Sequence, residues 1–287
     1  MTPFDLREPD SLPEAIALLD PEDPTTRAIA GGTALMLMMK AGVFQPGRLV
    51  SLRRIARQHS QIALADGELR LGAMATLSEL ARSPVVRREL PVVADALPML
   101  SNVRVRNVAT LGGQLAHADP HTDLPPILIA LGARMVAAGP NGERTIAAED
   151  LVSGYYETVL AGNELITDVR LPAQGSRRAA YLKWTTRSAD DWPALGVAIV
   201  LDLDADEIRD ARVVVSAATD RPTRLTAAED ELRGAGVDDA QLRRAGEAAR
   251  EQVETVSDAR GSAEYKRDLV RVSIARGIRQ CLAGGPS

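Results

Sequence analysis

Apolar and polar positions change rhythm several times along this chain, and each change marks an element. Ser11-Leu-Pro-Glu14, ahead of the apolar AIALL, has capping-box spacing: the serine closes the first turn, the glutamate reaches back, and a short helix is predicted. PEDPT at 21 to 25 reads as a turn, and Arg27-Ala-Ile-Ala30 as a buried strand that stops on Gly31-Gly32-Thr33. From Ala34 the residues ALMLMMKAG favour helix, with Gly42 as its C-cap. Arg48 to Leu52 is a strand, RRIARQHS a polar crossover, and Ile62 to Leu64 with Leu69 to Leu71 a hairpin about Asp66-Gly67. Thr76-Leu-Ser-Glu79 is a second capping box and Pro84 suits a first helical turn, so residues 77 to 98 are predicted to form two short helices. Ile127 to Leu131 is a buried apolar run, Arg134 to Ala138 and Glu143 to Ile146 flank a turn, and Glu164 to Leu171 is another strand. PAQGSR, residues 172 to 177, is the linker candidate. Strands near 179 to 185, 193 to 203 and 208 to 218 precede helices at about 223 to 233, 238 to 253 and 262 to 282, an order that suggests a separate α+β layer.

Composition narrows what such a chain does. Its 287 residues are 45% hydrophobic and 25% charged, as in an ordinary globular protein of two modest domains. Aromatics are only 3%, so the core is built from Ala, Val, Leu and Ile, and a stacking surface for single-stranded nucleic acid is not expected. A net charge of −5 with dispersed arginines argues equally against phosphate-backbone binding. One cysteine, Cys281, supports neither an internal disulfide nor an iron–sulfur cluster, so any iron belongs to another subunit. The start MTPFDLREPD lacks a basic segment followed by an apolar run, and no stretch approaches the ~20 apolar residues of a membrane span. The expected location is the cytoplasm.

The unusual residues sit in two glycine-bearing stretches. Gly31-Gly32 opens directly onto a helix, so unpaired N–H groups and the positive end of the helix dipole face out of the loop and suit a diphosphate without a lysine. Its spacing is neither that of a P-loop nor that of GxGxxG. The methionines of that helix read as core filling. Between Val105 and Leu124, Gly112-Gly113 lies between Thr110 and Gln114, and paired glycines let two backbone N–H groups approach phosphate oxygens. Asp119 and Asp123 follow, with prolines at 120, 125 and 126 stiffening the exit, so that an acid is aimed back toward a ribose hydroxyl. The same residues also describe a plain turn between a strand and a helix, and by themselves they leave both readings open.

The two stretches together, Ala30-Gly-Gly-Thr-Ala-Leu35 and Thr110-Leu-Gly-Gly-Gln114 followed by Ala116-His-Ala-Asp-Pro120, resemble the FAD subunit of molybdenum hydroxylases. The resemblance is to the medium subunits of carbon monoxide dehydrogenase and its aerobic relatives, and to the flavin domain of xanthine dehydrogenase. LVSL at 49 to 52, LGAMATLSEL at 71 to 80, Glu164 to Pro172, Tyr181-Leu-Lys183 with Arg187, and Tyr265-Lys-Arg267 extend it over nearly the whole chain. It implies an α+β fold. Residues 1–174 would be a two-part FAD-binding domain of the vanillyl-alcohol-oxidase (PCMH) type, divided at about 56, and 175–287 a smaller α+β C-terminal flavoprotein domain.

The resemblance also implies a set of FAD contacts: Ile29, Ala30, Gly31, Gly32, Thr33, Ala34 and Leu35 in the first stretch, and Thr110, Leu111, Gly112, Gly113 and Gln114 in the second. Asp123 would meet the ribose or adenine side, while Leu100, Ile166 and Lys183 lie toward the ring. Lys183 invites a reason of its own, because Lys40, Lys183 and Lys266 are the only lysines among many arginines. An ammonium at the flavin N1–C2=O edge would stabilise the charge of the reduced ring; the plain alternative is a surface lysine beside Trp184. Gln114 and Ala34 depart from the family's usual Asn and Ser or Asp, which leaves one phosphate hydrogen bond missing or rearranged. His121 is bulkier than the family's small residue, and a lone loop histidine such as His117 or His121 is more often solvated than catalytic.

On this resemblance FAD is bound without a covalent link, since neither glycine loop, 29 to 35 or 110 to 114, holds a Cys or His. Molybdopterin and iron–sulfur clusters would be carried by a large and a small partner subunit in a dimer of heterotrimers. Catalytic residues and metal ligands are not expected in this chain, and NAD, quinone and oxygen all stand as acceptors. The competing readings are a self-sufficient flavin oxidase or reductase, for which no acid–base set is evident, and a relative that has lost its flavin.

Overall fold

The computed structural model describes residues 2–283 except 66, 189, 190, 206 and 237. A three-stranded parallel sheet comes first, with Arg48–Ser51 between Asp5–Arg7 and Thr26–Ile29. Parallel neighbours need crossovers, and helices Leu12–Leu18 and Thr33–Lys40 supply them. Ser11 caps the first helix as predicted, but Glu14 takes the amide of Asp10, not that of Ser11. The strand Asp5–Arg7 is only three residues long with Leu6 exposed, and its sequence does not announce it.

The second sheet is antiparallel, in the order Ile62–Ala65, Glu68–Gly72, Leu165–Pro172, Arg134–Gly139, Gly142–Ala147. Its central strand is the last of the five in sequence and stitches two hairpins together, with a bulge between Ile166 and Asp168. Asp66 of the first hairpin turn lies outside the described residues. Between these hairpins the chain is helical. Thr76 and Glu79 form the full reciprocal capping box. Residues 77 to 98 hold three short α-helices, Leu77–Arg82, Pro84–Glu89 and Pro91–Ala96, and a 3-10 turn Leu97–Met99, where two helices were expected. Pro91 is the reason: it forces Leu90 out of helical geometry and then opens the next helix itself.

The C-terminal sheet runs Arg178–Trp184, Leu195–Asp204, Glu207–Ser216, Thr223–Arg224, with Ala235–Gly236 also paired to the third strand. The stretches Leu195 to Leu201 and Val213 to Val215 read as apolar runs because both faces are covered there. Tyr181, Ala198, Val200 and Val214 join the core of the preceding domain, while Ala180, Val197, Ile199, Val213 and Val215 pack under helices that contribute Leu242, Ile274 and Ile278. The helix Leu124–Leu131 lies between the two large sheets, and each of its residues is buried. That position explains why IleLeuIleAlaLeu has no polar face. The segment 172 to 177 is not a loose linker. The Gln174 amide donates to Glu89 O (2.8 Å), and Arg177 holds the carbonyls of Ala173 (2.9 Å) and Gln174 (3.1 Å). Among the described residues no helix is long and apolar enough to cross a membrane.

Candidate cofactor-binding site

The first glycine motif is a strand end turned into a helix start. Ile29 closes the strand, with its carbonyl accepting from the Leu52 amide at 2.9 Å. Gly32 has φ +69° and is the N-cap of the helix Thr33–Lys40, a left-handed conformation that suits glycine. Gly31 is required for a different reason. A Cβ there would lie 1.9 Å from the Val108 carbonyl oxygen, so this backbone rests directly on the chain entering the second motif. The helix has no side-chain cap and no acid in its first turn. The amides of Thr33, Ala34 and Leu35, which a helix cannot satisfy from within, have no acceptor among the described residues.

The second motif is a helix rather than a loop. Thr110 is the N-cap of Leu111–His117, and Gly112 and Gly113 fall in its first turn. Its leading amides are all taken. Leu111 donates to Ala75 O (3.0 Å), Gly112 to Ala73 O (2.7 Å), Gly113 to Thr110 Oγ1 (3.2 Å) and Gln114 to Thr110 O (3.0 Å). The expected pair of free glycine N–H donors is therefore absent here, because the 73–75 turn supplies carbonyls that reach them first. Gly112 serves close packing instead, since its Cβ would lie 2.7 Å from that of Ala73. A Cβ on Gly113 would lie 3.6 Å from Ala30, so the two motifs do meet. Beside this contact the Oε1 of Gln114 is buried without a hydrogen-bond partner.

A second cluster gathers around Asp123. Tyr181 donates its hydroxyl to Asp123 Oδ1 at 2.6 Å, and Lys183 Nζ lies 3.2 Å from Oδ2 and donates to Met99 O at 2.7 Å. The Lys183 side chain is only 3% exposed, so it is no surface lysine. Burial raises the Asp123 carboxyl above its ordinary range, against the pull of Lys183 and Tyr181. Asp123 and Lys183 were expected at opposite ends of one ligand; as an ion pair they occupy a single place. Leu100 is buried immediately after Met99, and Arg106 pins that turn by donating to the carbonyls of Pro98, Leu100 and Ser101. Ile166 sits at the bulge of the central strand.

Between the motifs and this cluster lies the turn 118 to 123. Asp119 accepts from the His121 amide (2.9 Å) and lies 3.2 Å from Nδ1, and the Tyr156 hydroxyl bonds to it as well. Burial opposes ionisation of Asp119, yet the His121 contacts prevail and hold its carboxyl below the usual range. His121 is buried, not solvated, and its Nε2 lies 3.1 Å from Asp258 Oδ2. Lys266 Nζ reaches the same oxygen at 2.8 Å. Despite burial, these contacts hold Asp258 at about 2.

Tyr181, Asp258 and Lys266 are the residues that sequence reading missed as participants. Two had signals: Tyr181 shares a strand face with Lys183 at spacing two, and Lys266 is as rare a lysine as Lys183. Asp258 had none, because its partner is far away in sequence.

FAD fits what is present. Its diphosphate calls for N–H donors at a backbone that no Cβ crowds, and the Gly31–Leu35 turn supplies them. The stranded side-chain amide of Gln114, next in sequence to Gly113, offers an acceptor or, turned over, a donor. Comparison with known proteins gives the same answer over both halves. Residues 2–174 match the FAD binding domain in molybdopterin dehydrogenase, and residues 180–281 the CO dehydrogenase flavoprotein C-terminal domain. The chain is 34% identical to the nicotine 6-hydroxylase medium subunit of Paenarthrobacter nicotinovorans, covering 94% of each. To the carbon monoxide dehydrogenase medium chain of Hydrogenophaga pseudoflava it is 30% identical, covering 98% of this chain and 97% of the relative. A solved structure of carbon monoxide dehydrogenase from that organism, lacking the Mo-pyranopterin moiety of its molybdenum cofactor, superposes with a TM-score of 0.94 at 33% identity over 99% of both chains. With an uncapped glycine turn for a diphosphate and both halves matched end to end, the chain belongs to the FAD-binding medium subunits of the molybdenum hydroxylases, oxidoreductase subunits whose own cofactor is FAD.

Proposed function

We propose that this chain is an electron relay, taking electrons from iron–sulfur clusters on a small partner subunit and delivering them to an external acceptor (NAD, quinone or oxygen). The observation that supports it is the uncapped helix start at Gly31-Gly32, whose open amides suit a diphosphate, in a chain whose one cysteine cannot hold a cluster. FAD, when bound, supplies the electron-carrying ring that this chain's side chains lack. Ile29 to Leu35 and Thr110 to Gln114 would flank its diphosphate, the first by amide donation, the second by the Thr110 hydroxyl and the Gln114 amide. Leu100, Asp123, Ile166 and Lys183 would meet it further along. Lys183 has one N–H left after Met99 and Asp123, and Asp123 with Tyr181 holds that ammonium still. A fixed positive charge of this kind stabilises the reduced ring.

The relatives' names differ in substrate, carbon monoxide in one and nicotine in another, which supports placing substrate choice on a molybdopterin-bearing large subunit. A dimer of heterotrimers in the cytoplasm, a domain division at 174 and non-covalent FAD complete the proposal. The test assays the lone chain and the reconstituted complex on purines, aldehydes, N-heteroaromatics and carbon monoxide. The lone chain is expected to be yellow, to release FAD into acid, and to exchange electrons with artificial dyes (passing them on only after dithionite has reduced its flavin), without oxidising any of these substrates. Substrate turnover by the lone chain, with metals excluded, would favour a self-sufficient flavoenzyme instead.

A further inference from the structure

His121 stands in a closed ring of polar contacts that crosses between the domains twice. Its Nε2 meets Asp258 Oδ2 at 3.1 Å, Asp258 holds Lys266 at 2.8 Å, Lys266 donates to Ala217 O at 3.1 Å, and the Ala217 amide returns to Pro120 O at 2.9 Å, next to His121. Lys266 has no exposed side-chain surface, so the ring is built into the interior. The other nitrogen faces Asp119 at 3.2 Å, and both contacts are hydrogen bonds only when both nitrogens carry protons. On the open side Trp192 stacks on the imidazole, centroids 6.0 Å apart and planes at 28°, with the Arg260 guanidinium 5.2 Å from the indole. His117 and Tyr156 are the remaining titratable neighbours, both acting on Asp119. Two residues beyond His121 lies Asp123, which holds Lys183. Trp192 sits on the connection that leaves the Lys183 strand.

We propose that His121 is a positioning residue for the cofactor: it fixes the 119–123 turn, and with it the Asp123–Lys183 pair, against the C-terminal domain. This rests on the FAD reading above. A side chain acting merely by bulk would rank its replacements by size and apolarity, whereas a hydrogen-bonding tie ranks them by donor position. His121→Phe keeps the ring and the Trp192 stack but donates nothing. Asn places a donor near Nδ1, toward Asp119 only, and Gln places one near Nε2, toward Asp258.

The experiment measures FAD affinity of the full chain for the three variants by flavin fluorescence. Phe and Asn are expected to weaken binding about tenfold and Gln no more than about threefold, the loss corresponding to one charge-assisted hydrogen bond. A second readout needs no flavin: urea unfolding of the apo chain in the double-mutant cycle His121→Phe with Asp258→Asn, where non-additive losses are expected. Phe binding FAD as well as wild type, or better than Gln, overturns the proposal, as does an additive cycle. If wild type itself takes up no FAD, the cofactor reading fails while the cycle still decides whether the tie exists. Should a His121 variant not fold, Lys266→Met and Asp258→Asn provide a cycle on the same ring, with the same outcomes.

Discussion

The two glycine pairs look alike in sequence and have opposite physical roles. Gly31-Gly32 leaves the first amides of its helix without acceptors among the described residues, and Gly32 takes a left-handed φ. Gly112-Gly113 begins a helix whose leading amides are all satisfied by Thr110 and the 73–75 turn. One pair leaves backbone donors open; the other is part of the packed floor beneath them. A glycine pair tells that backbone comes close to something, and only the surrounding carbonyls decide whether that something is ligand or protein.

Substitutions separate the two roles. The largest effect is expected from Gly31→Ala, because its Cβ would lie 1.9 Å from a backbone oxygen that cannot turn aside. A loss of about 4 kcal/mol or more, or no folded protein, is expected in urea denaturation. Near-native stability would mean that the motifs are not in contact. Gly113→Val comes next. Its side chain would meet Thr110 Oγ1 at 2.8 Å and disturb the cap, costing about 1–3 kcal/mol. Flavin content should then fall with the folded fraction; a stable, colourless mutant would return Gly113 to the phosphate site and break the comparison. The smallest effect is Ala34→Glu, which puts a carboxylate longer than the family's usual Ser or Asp over the open helix start. Apo stability should rise by about 0.3–1 kcal/mol while FAD affinity falls, a split visible in paired melts with and without FAD.

Much of the fold was legible because local chemistry decided it. The Thr76–Glu79 box, the hairpin at 134–147 and the three C-terminal strands followed from capping and period alone. The Leu124–Leu131 helix was not, since an apolar run buried between two sheets has no period to read. In the candidate site, the strand-to-helix turn at Gly31-Gly32 was legible from glycine and helix chemistry, while the wider set 29 to 35 came by resemblance. The Asp123–Lys183 pair came only by resemblance, and its geometry emerged from contacts sixty residues apart in sequence. His121 was misread as solvated because a sequence does not show Asp258 arriving from the other domain.

The contact between Gly31 and Val108 also sets an order of events during synthesis. The open amides of Thr33 to Leu35 emerge well before the Val108 wall that holds their turn in place. Closing so long a loop is entropically slow and precedes any reward from the contact. The nascent segment from Thr26 to Lys40 therefore has no preformed cradle, and FAD capture is a late step that follows docking of the 108–114 segment. A ribosome-stalled fragment ending before residue 100 should remain colourless in the presence of FAD.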